Sequence, residues 1–282
     1  AIAYAFLSAV LMGTIGVFSK ILGLPAEIIT FFRLIIGAGF MMLFLIIMGN
    51  VKMAKAWPTW PVLVNGVLLA GFIIFYVQAM NYTTMANAIM LVYLAPLVAS
   101  VVAHFYLDER LTYSGLALIL LALFGFGMMM EFKIDIGVEN REFIGICYGL
   151  LALACYAGFI LVNRIINPNV HIYTRTLWQL LTGSLILIPF IMSTIHEVSI
   201  SDIPWLIAVG FLPGFLAILF AVTALSRLPV AVFGTIAYFE PVSVVIFGWT
   251  IFDEILNPIQ ISGCLLIIMS GIMKTMATAR PA

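Results

Sequence analysis

Charge is what this sequence has least of. Of its 282 residues, 12 are Lys or Arg and 12 are Asp or Glu, so nine per cent are charged and the formal net charge is zero. A soluble domain carries about a quarter of its residues as charged ones, and a nucleic-acid binder concentrates basic charge. The chain fits neither class, and no nucleic-acid partner is expected. Histidine is scarce as well. His104, His171 and His196 offer no pair with metal-ligand spacing. Cys147, Cys155 and Cys264 sit inside apolar runs and form no metal frame or disulfide pattern. No metal and no cofactor is therefore expected.

What fills the space is hydrocarbon: 65% of residues are hydrophobic and the mean hydropathy is +1.23. Such a chain needs lipid as its solvent. A membrane helix takes about 20 apolar residues, and ten windows qualify: 2–19, 27–48, 61–80, 85–107, 113–130, 143–162, 172–194, 203–225, 230–252 and 257–275. The expected fold is all-α integral membrane. The opening AIAYAFLSAVLMG has neither a basic n-region nor a clear cleavage site, so it reads as the first membrane helix and not as a signal peptide. With the N-terminus inside, seven basic residues (Lys52, Lys55, Arg110, Arg164, Arg227, Lys274, Arg280) face the cytoplasm and three (Lys20, Lys133, Arg141) face out. That satisfies the positive-inside rule and puts both termini in the cytoplasm. Trp57, Trp60 and Trp205 fall near span ends, as an aromatic belt would.

The chain repeats itself. Residues 79–111 align without a gap on 224–256, matching Ala79 with Ala224, Ala86 with Ala231, Tyr93 with Tyr238, Pro96 with Pro241, Asp108-Glu109 with Asp253-Glu254, and Leu111 with Leu256. Tyr, Pro and Asp-Glu are not residues that apolarity supplies by chance. The chain therefore divides at the charged stretch near its middle, into halves 1–135 and 136–282 of five helices each. An odd number of crossings turns the second half upside down. Inverted repeats of this kind let one fold make two nearly equivalent states, open to opposite faces, which is a transporter's device. The paired Asp-Glu loops read first as local structure, with Thr112 and Asn257-Pro258-Ile259-Gln260 as helix N-terminal caps.

These residues resemble the ten-helix drug/metabolite transporter superfamily, in its EamA branch. The resemblance covers essentially the whole chain. It rests on Gly13, Gly16, Lys20, Pro25, Arg33 and AMNYTTMANAIMLVYLAPL with DER in the first half, and on Tyr238-Phe239-Glu240-Pro241 with Asp253-Glu254 in the second. It implies a central cavity lined by helices 1, 3 and 4 of one half and 6, 8 and 9 of the other, with helices 5 and 10 at the periphery. It implies transport and does not name a substrate.

Glu240 is the residue that needs a reason. It lies about eleven residues into its window, where a charge costs about 2.5–3.5 kcal/mol on insertion scales. It is expected to face the bundle interior. Three roles are open to it: binding an amine group of the substrate, exchanging a proton against substrate, or serving as a structural acid. Pro96 and Pro241 should kink their helices and free the carbonyls of Val92 and Ala237. Tyr93 and Tyr238 read as a pocket wall or as interhelix packing. Thr14, Tyr76, Gln78, Asn87, Tyr156 and Gln179 are the other polar candidates within spans. Phe215 and Phe233 can supply apolar walls. Arg33, two turns into helix 2, is expected to snorkel to the outer interface; its other reading is an anion site or a charge partner for Glu240. Lys20 and Arg164 correspond by repeat and read as interfacial anchors.

The reading is an integral membrane transporter of small polar metabolites, an exporter of amino acids or related amines, linked to protons through Glu240 and sufficient as a monomer. An importer or uniporter of another solute, such as a nucleoside, vitamin or sugar, fits the same fold. An intramembrane protease would need a nucleophile with a histidine, or paired aspartates, within spans; these spans hold no aspartate and His104 has no evident nucleophile at a fixed offset, while a channel would show a charged ring or a selectivity filter.

Overall fold

In a computed structural model the chain is described over residues 1–55, 58–83, 85–132, 140–253 and 255–279. Expectations that fall on Trp57, Lys133, Glu254 and Arg280, or on the side chains of Lys55, Ala86 and Arg141, lie outside the described residues.

All ten apolar windows fold as helix: α1 Ile2–Leu22, α2 Ala26–Ile47, α3 Trp60–Tyr82, α4a Met85–Val92 with α4b Ala95–Tyr106, α5 Tyr113–Met129, α6 Asn140–Ile165, α7 Ile172–Ile191, α8 from Ile203 to Leu225, α9a Val230–Ala237 with α9b Phe239–Phe252, and α10 Pro258–Ala279. No strand occurs among the described residues. Seven of the rods combine the length and apolarity needed to cross a membrane, and α5 and α10 are shorter apolar helices. The remaining rod, α7, is diluted by Thr174, Arg175, Thr176 and Gln179.

The helix ends show why the breaks fall where they do. Thr112 accepts from the Gly115 amide at 3.1 Å and caps α5. Before α10, the Asn257 amide donates to Gln260 Oε1 at 3.0 Å, and Asn257 Oδ1 accepts from the Ile259 amide at 3.0 Å. Asp108 and Asp253, matched by the repeat, both take left-handed backbone with φ 53, a conformation that short polar side chains tolerate. Asp253 is thus the residue on which α9b stops, and Asp108 follows directly on Leu107, the cap of α4b. At the far end of α6, Arg175 ties off the open carbonyls, donating to Val170 at 2.8 Å, Asn167 at 2.8 Å and Ile166 at 3.3 Å.

Helix neighbours are preserved when each helix is exchanged for its counterpart five places on. The pair α3–α6 becomes α8–α1, α4–α6 becomes α9–α1, and α2–α8 becomes α7–α3, while α2–α7, α4–α9 and α5–α10 map onto themselves. Side chains follow suit. Tyr148 of α6 stacks with Phe75 of α3, and Tyr4 of α1 sits 5.4 Å from Phe220 of α8. Glycines repeat the same way. An added Cβ on Gly183 of α7 would stand 3.3 Å from the Gly66 carbonyl of α3, and one on Gly37 of α2 would stand 3.2 Å from the Gly210 carbonyl of α8. Small residues let backbones approach where lipid gives helices no hydrophobic reason to associate.

Two departures from straight helix matter. Tyr93 and Tyr238 mark the breaks in α4 and α9, each three residues ahead of its proline. Within α8, Gly210–Leu216 is a π-helical segment that contains Pro213. Proline there removes a donor, and the wider turn absorbs it.

Candidate functional site

The break in α9 changes the meaning of Glu240. In sequence it sits in the middle of an apolar run. In the structure it is the second residue of α9b and lies in that half-helix's first turn. First-turn amides lack intrahelical acceptors and carry partial positive charge. A carboxylate beside them costs less than one in mid-helix. Pro241 suits the same turn, where its missing amide would have had no partner.

Glycine on α1 sets the other wall. A Cβ on Gly13 would stand 2.7 Å from Ser243 Cβ and 3.1 Å from the Glu240 carbonyl, and one on Gly16 would stand 3.1 Å from Val244. The backbone of α1 thus lies directly on the first turn of α9b. Thr14, next to Gly13, donates its hydroxyl to its own Leu11 carbonyl at 2.6 Å.

Arg33 of α2 and Glu240 lie within each other's electrostatic range, and among the described residues no ion pair joins them at contact distance. The snorkelling expectation fails: Arg33 is 6% exposed, and its Nε is buried with no hydrogen-bond partner. Enclosure by α8 is the reason. Gly214, in the π segment, lies directly against the Arg33 carbonyl, so α2 is held close and the side chain has no path along the surface.

Aromatic rings complete the cluster. Tyr76 of α3, Tyr93 of α4 and Tyr156 of α6 all lie within electrostatic range of Glu240. Phe72 stacks on Tyr156 at 5.0 Å and lies 6.2 Å from Tyr76. A carboxylate within reach of phenol rings suits a cation, since ring faces attract ammonium groups as well.

The other candidates separate from this centre. Tyr238 is 0% exposed and donates its hydroxyl to the Tyr93 carbonyl at 2.6 Å. It packs with Phe126 and Ile119 of α5 and Ile267 of α10, so the structure gives it the interhelix role. The carbonyl used at the α4 break belongs to Tyr93, one residue beyond the expected Val92. Gln78 is two residues from Tyr76 on α3, and that spacing sends it to a different helix face. Asn87 is occupied in the first turn of α4a, donating to Thr83 Oγ1 at 3.0 Å and Glu142 Oε1 at 3.4 Å. Pro96 packs against α9a, 3.0 Å from where a Cβ on Gly234 would stand.

Sequence reading passed over two further polar groupings. Gln179 donates to Asn163 Oδ1 at 2.9 Å, while Gln179 Oε1 and both side-chain polar atoms of Asn65 are buried without partners. At the end of α4b, Glu109 ties three elements together. Its Oε1 pairs with Arg164 Nε of α6, and its Oε2 accepts from the Val230 amide at the start of α9a at 2.7 Å. A cleft of about 130 Å³ opens beside this knot, lined by Ser100, Glu109, Arg164, Pro229 and Ala231. Arg164 is thus a tie between helices. Lys20, its counterpart, lies over the Phe252 ring at 4.2 Å.

Comparison with known proteins adds what geometry cannot. The chain matches the EamA-like transporter family over residues 1–130 and 143–275. An uncharacterized transporter of Bacillus subtilis (strain 168), YxxF, is 28% identical over 66% of this chain and 60% of its own length. The pseudopaline exporter CntI of Pseudomonas aeruginosa (strain UCBPP-PA14) is 24% identical over 88% of this chain and 86% of its own. A crystal structure superposes with TM-score 0.86 at 19% identity, covering 99% of this chain and 98% of that one.

Proposed function

The chain belongs to the EamA-like transporter family, and from that premise we propose that it exports amino acids or related amines, with Glu240 as the substrate-side carboxylate. It is a multi-pass membrane transporter. The observation that carries the finer reading is the carboxylate itself: Glu240 lies in mid-span in the first turn of the half-helix after Tyr238, with the backbone of α1 packed on that turn at Gly13. Discontinuous helices at the midplane are where transporters of many folds hold their substrates.

The exchange symmetry of the helix contacts supports alternating access. Two five-helix halves, 1–135 and 136–282, in opposite membrane orientation, would rock about the α4 and α9 breaks and expose the cluster to either side. The excess of basic residues on one side supports an orientation with both termini in the cytoplasm of a cell that carries this protein in its plasma membrane. Glu240 exchanges a proton as substrate leaves, and one chain supplies both halves of the cavity. The export direction agrees with the name of one relative, the pseudopaline exporter.

Counterflow in proteoliposomes tests this reading. Vesicles holding purified protein and loaded with unlabelled amino acids or amines should accumulate the labelled compound in a saturable way. Glu240→Gln should slow the accumulation and strip it of its pH dependence. Wild-type rate, affinity and pH dependence in Glu240→Gln would overturn the role given to that carboxylate.

A further inference from the structure

We infer that Glu109 is the latch that holds this chain closed at the membrane face on which it begins, with α4b and α9a as the gate it fastens. The inference rests on alternating access as proposed above, and neither on the substrate nor on Glu240. That face is the cytoplasmic one in the orientation given there.

The order of crossings puts the end of α4b, the end of α6 and the start of α9a on the face where α1 starts. Glu109 joins all three. Arg164, one residue before α6 ends, holds Oε1. Oε2 is then placed for the Val230 amide, which donates to it at 2.7 Å. Val230 is the first residue of α9a, and Pro229 before it supplies no side-chain cap. First-turn amides lack acceptors and favour negative charge. The cap of α9a therefore comes from the other half of the chain.

The seam between α4b and α9a is closed along its length. One turn on from Val230, a Cβ on Gly234 would stand 3.0 Å from Pro96 Cβ, and at the breaks the Tyr238 hydroxyl reaches the Tyr93 carbonyl at 2.6 Å. Exchange of the halves maps this seam onto α9b with α4a, at the opposite face. There each half-helix keeps its own neighbour, α4a on α6 and α9b on α1, and among the described residues no comparable contact joins α4a to α9b. One pair of half-helices is fastened while its twin is parted. A carrier closed to one side has this form.

The latch is also built to release. A fully buried ion pair leaves an uncompensated charge when it breaks, and a fully exposed one holds almost nothing. The side chains of Arg164 and Glu109 fall between, at 31% and 15% exposed. The cleft of about 130 Å³ beside them, bounded by Ser100, Pro229 and Ala231, gives water a place from which to take over each polar group as α9a moves away.

The test measures two distances by pulsed electron spin resonance on the full chain in proteoliposomes, with Cys147, Cys155 and Cys264 replaced by serine. One spin-label pair, Tyr106→Cys with Arg227→Cys, sits at exposed positions on the gate's face; the other, Tyr82→Cys with Ile251→Cys, sits at exposed positions on the opposite face. Without further change the first pair should show mainly its short distance. Glu109→Ala should raise the ratio of long to short there by about five- to thirtyfold, the factor that an ion pair and a cap supply together. The second pair should shorten in step. Arg164→Ala, which spares the Val230 bond, should move both pairs the same way by less. Unchanged distances in Glu109→Ala overturn the inference, as does a first pair that starts out long. A first pair that lengthens with no response from the second also overturns it, leaving Glu109 a local cap. Should Glu109→Ala fail to give monodisperse protein, Arg164→Ala decides. Counterflow by the unlabelled wild type reports separately on transport, so a failed latch beside saturable counterflow leaves the reading above standing.

Discussion

The Tyr238 hydroxyl donates a 2.6 Å hydrogen bond to the carbonyl of Tyr93, the residue that occupies its own place in the other half of the chain. Each tyrosine stands at a helix break, and their rings lie 6.0 Å apart. The bond therefore joins the two helix breaks directly. Tyr238→Phe keeps the ring and deletes the donor. Interhelix hydrogen bonds in membranes average about 0.6 kcal/mol, so a modest loss of stability is expected in unfolding from mixed micelles. The larger effect should fall on transport rate. An unchanged rate would show that the bond is packing alone.

Glu240→Gln keeps the shape of the side chain and removes its titration. If protons are exchanged at this carboxylate, wild-type transport varies with pH and the variant's profile is flat. The measurement is initial counterflow rate across a pH series in proteoliposomes. A variant profile parallel to the wild type would move the proton to another group.

The Glu109 knot predicts unequal costs for its two partners. The Arg164 and Glu109 side chains are 31% and 15% exposed, and partly exposed ion pairs are worth about 1 kcal/mol or less. Glu109 also caps α9a through the Val230 amide, and losing a cap costs about 1 kcal/mol more. Glu109→Ala should therefore destabilise more than Arg164→Ala. In a cysteine-free background, Ala231→Cys should react faster with an impermeant thiol reagent once Glu109 is removed.

Gly13→Ala asks whether α1 must touch the Glu240 turn. The added methyl meets Ser243 Cβ at 2.7 Å and the Glu240 carbonyl at 3.1 Å, so one helix has to move. Overpacking of this kind costs about 1–3 kcal/mol. Loss of counterflow with retained monodispersity is the expected result.

Asp108 separates two small residues by their effect on stability. Its φ is 53, where alanine is strained and glycine is at ease. Asp108→Ala should lower stability by about 1 kcal/mol, and Asp108→Gly should be close to neutral. The same contrast should hold at Asp253, which also has φ 53.

Much of the fold was legible because lipid imposes a coarse rule: ten apolar windows became ten helical rods. The repeat was visible where unusual residues recur, at Tyr, Pro and Asp-Glu. It was invisible at Tyr4 with Tyr148 and Phe75 with Phe220. The offset between the halves slips by one between those two pairs, and single aromatics in apolar sequence draw no notice. Glu240 stood out by cost alone, but its place in a first turn depends on where the backbone breaks. Arg33 misled because position along a helix suggests a route to the surface. The glycines that close that route belong to α8, far away in sequence. Gln78 and Asn87 looked like their neighbours in composition and differ only in the direction they face, and the Phe72 stack required knowing that α3 and α6 lie side by side.

The π segment at Gly210–Leu216 has no twin: its counterpart stretch in α3 runs as unbroken α-helix. A machine built from two interchangeable halves would rest with equal ease on either side of the membrane. If the halves rock as proposed, widening a single turn in one of them makes the states open to opposite faces unequal in energy, with one proline and two glycines of α8 as the difference.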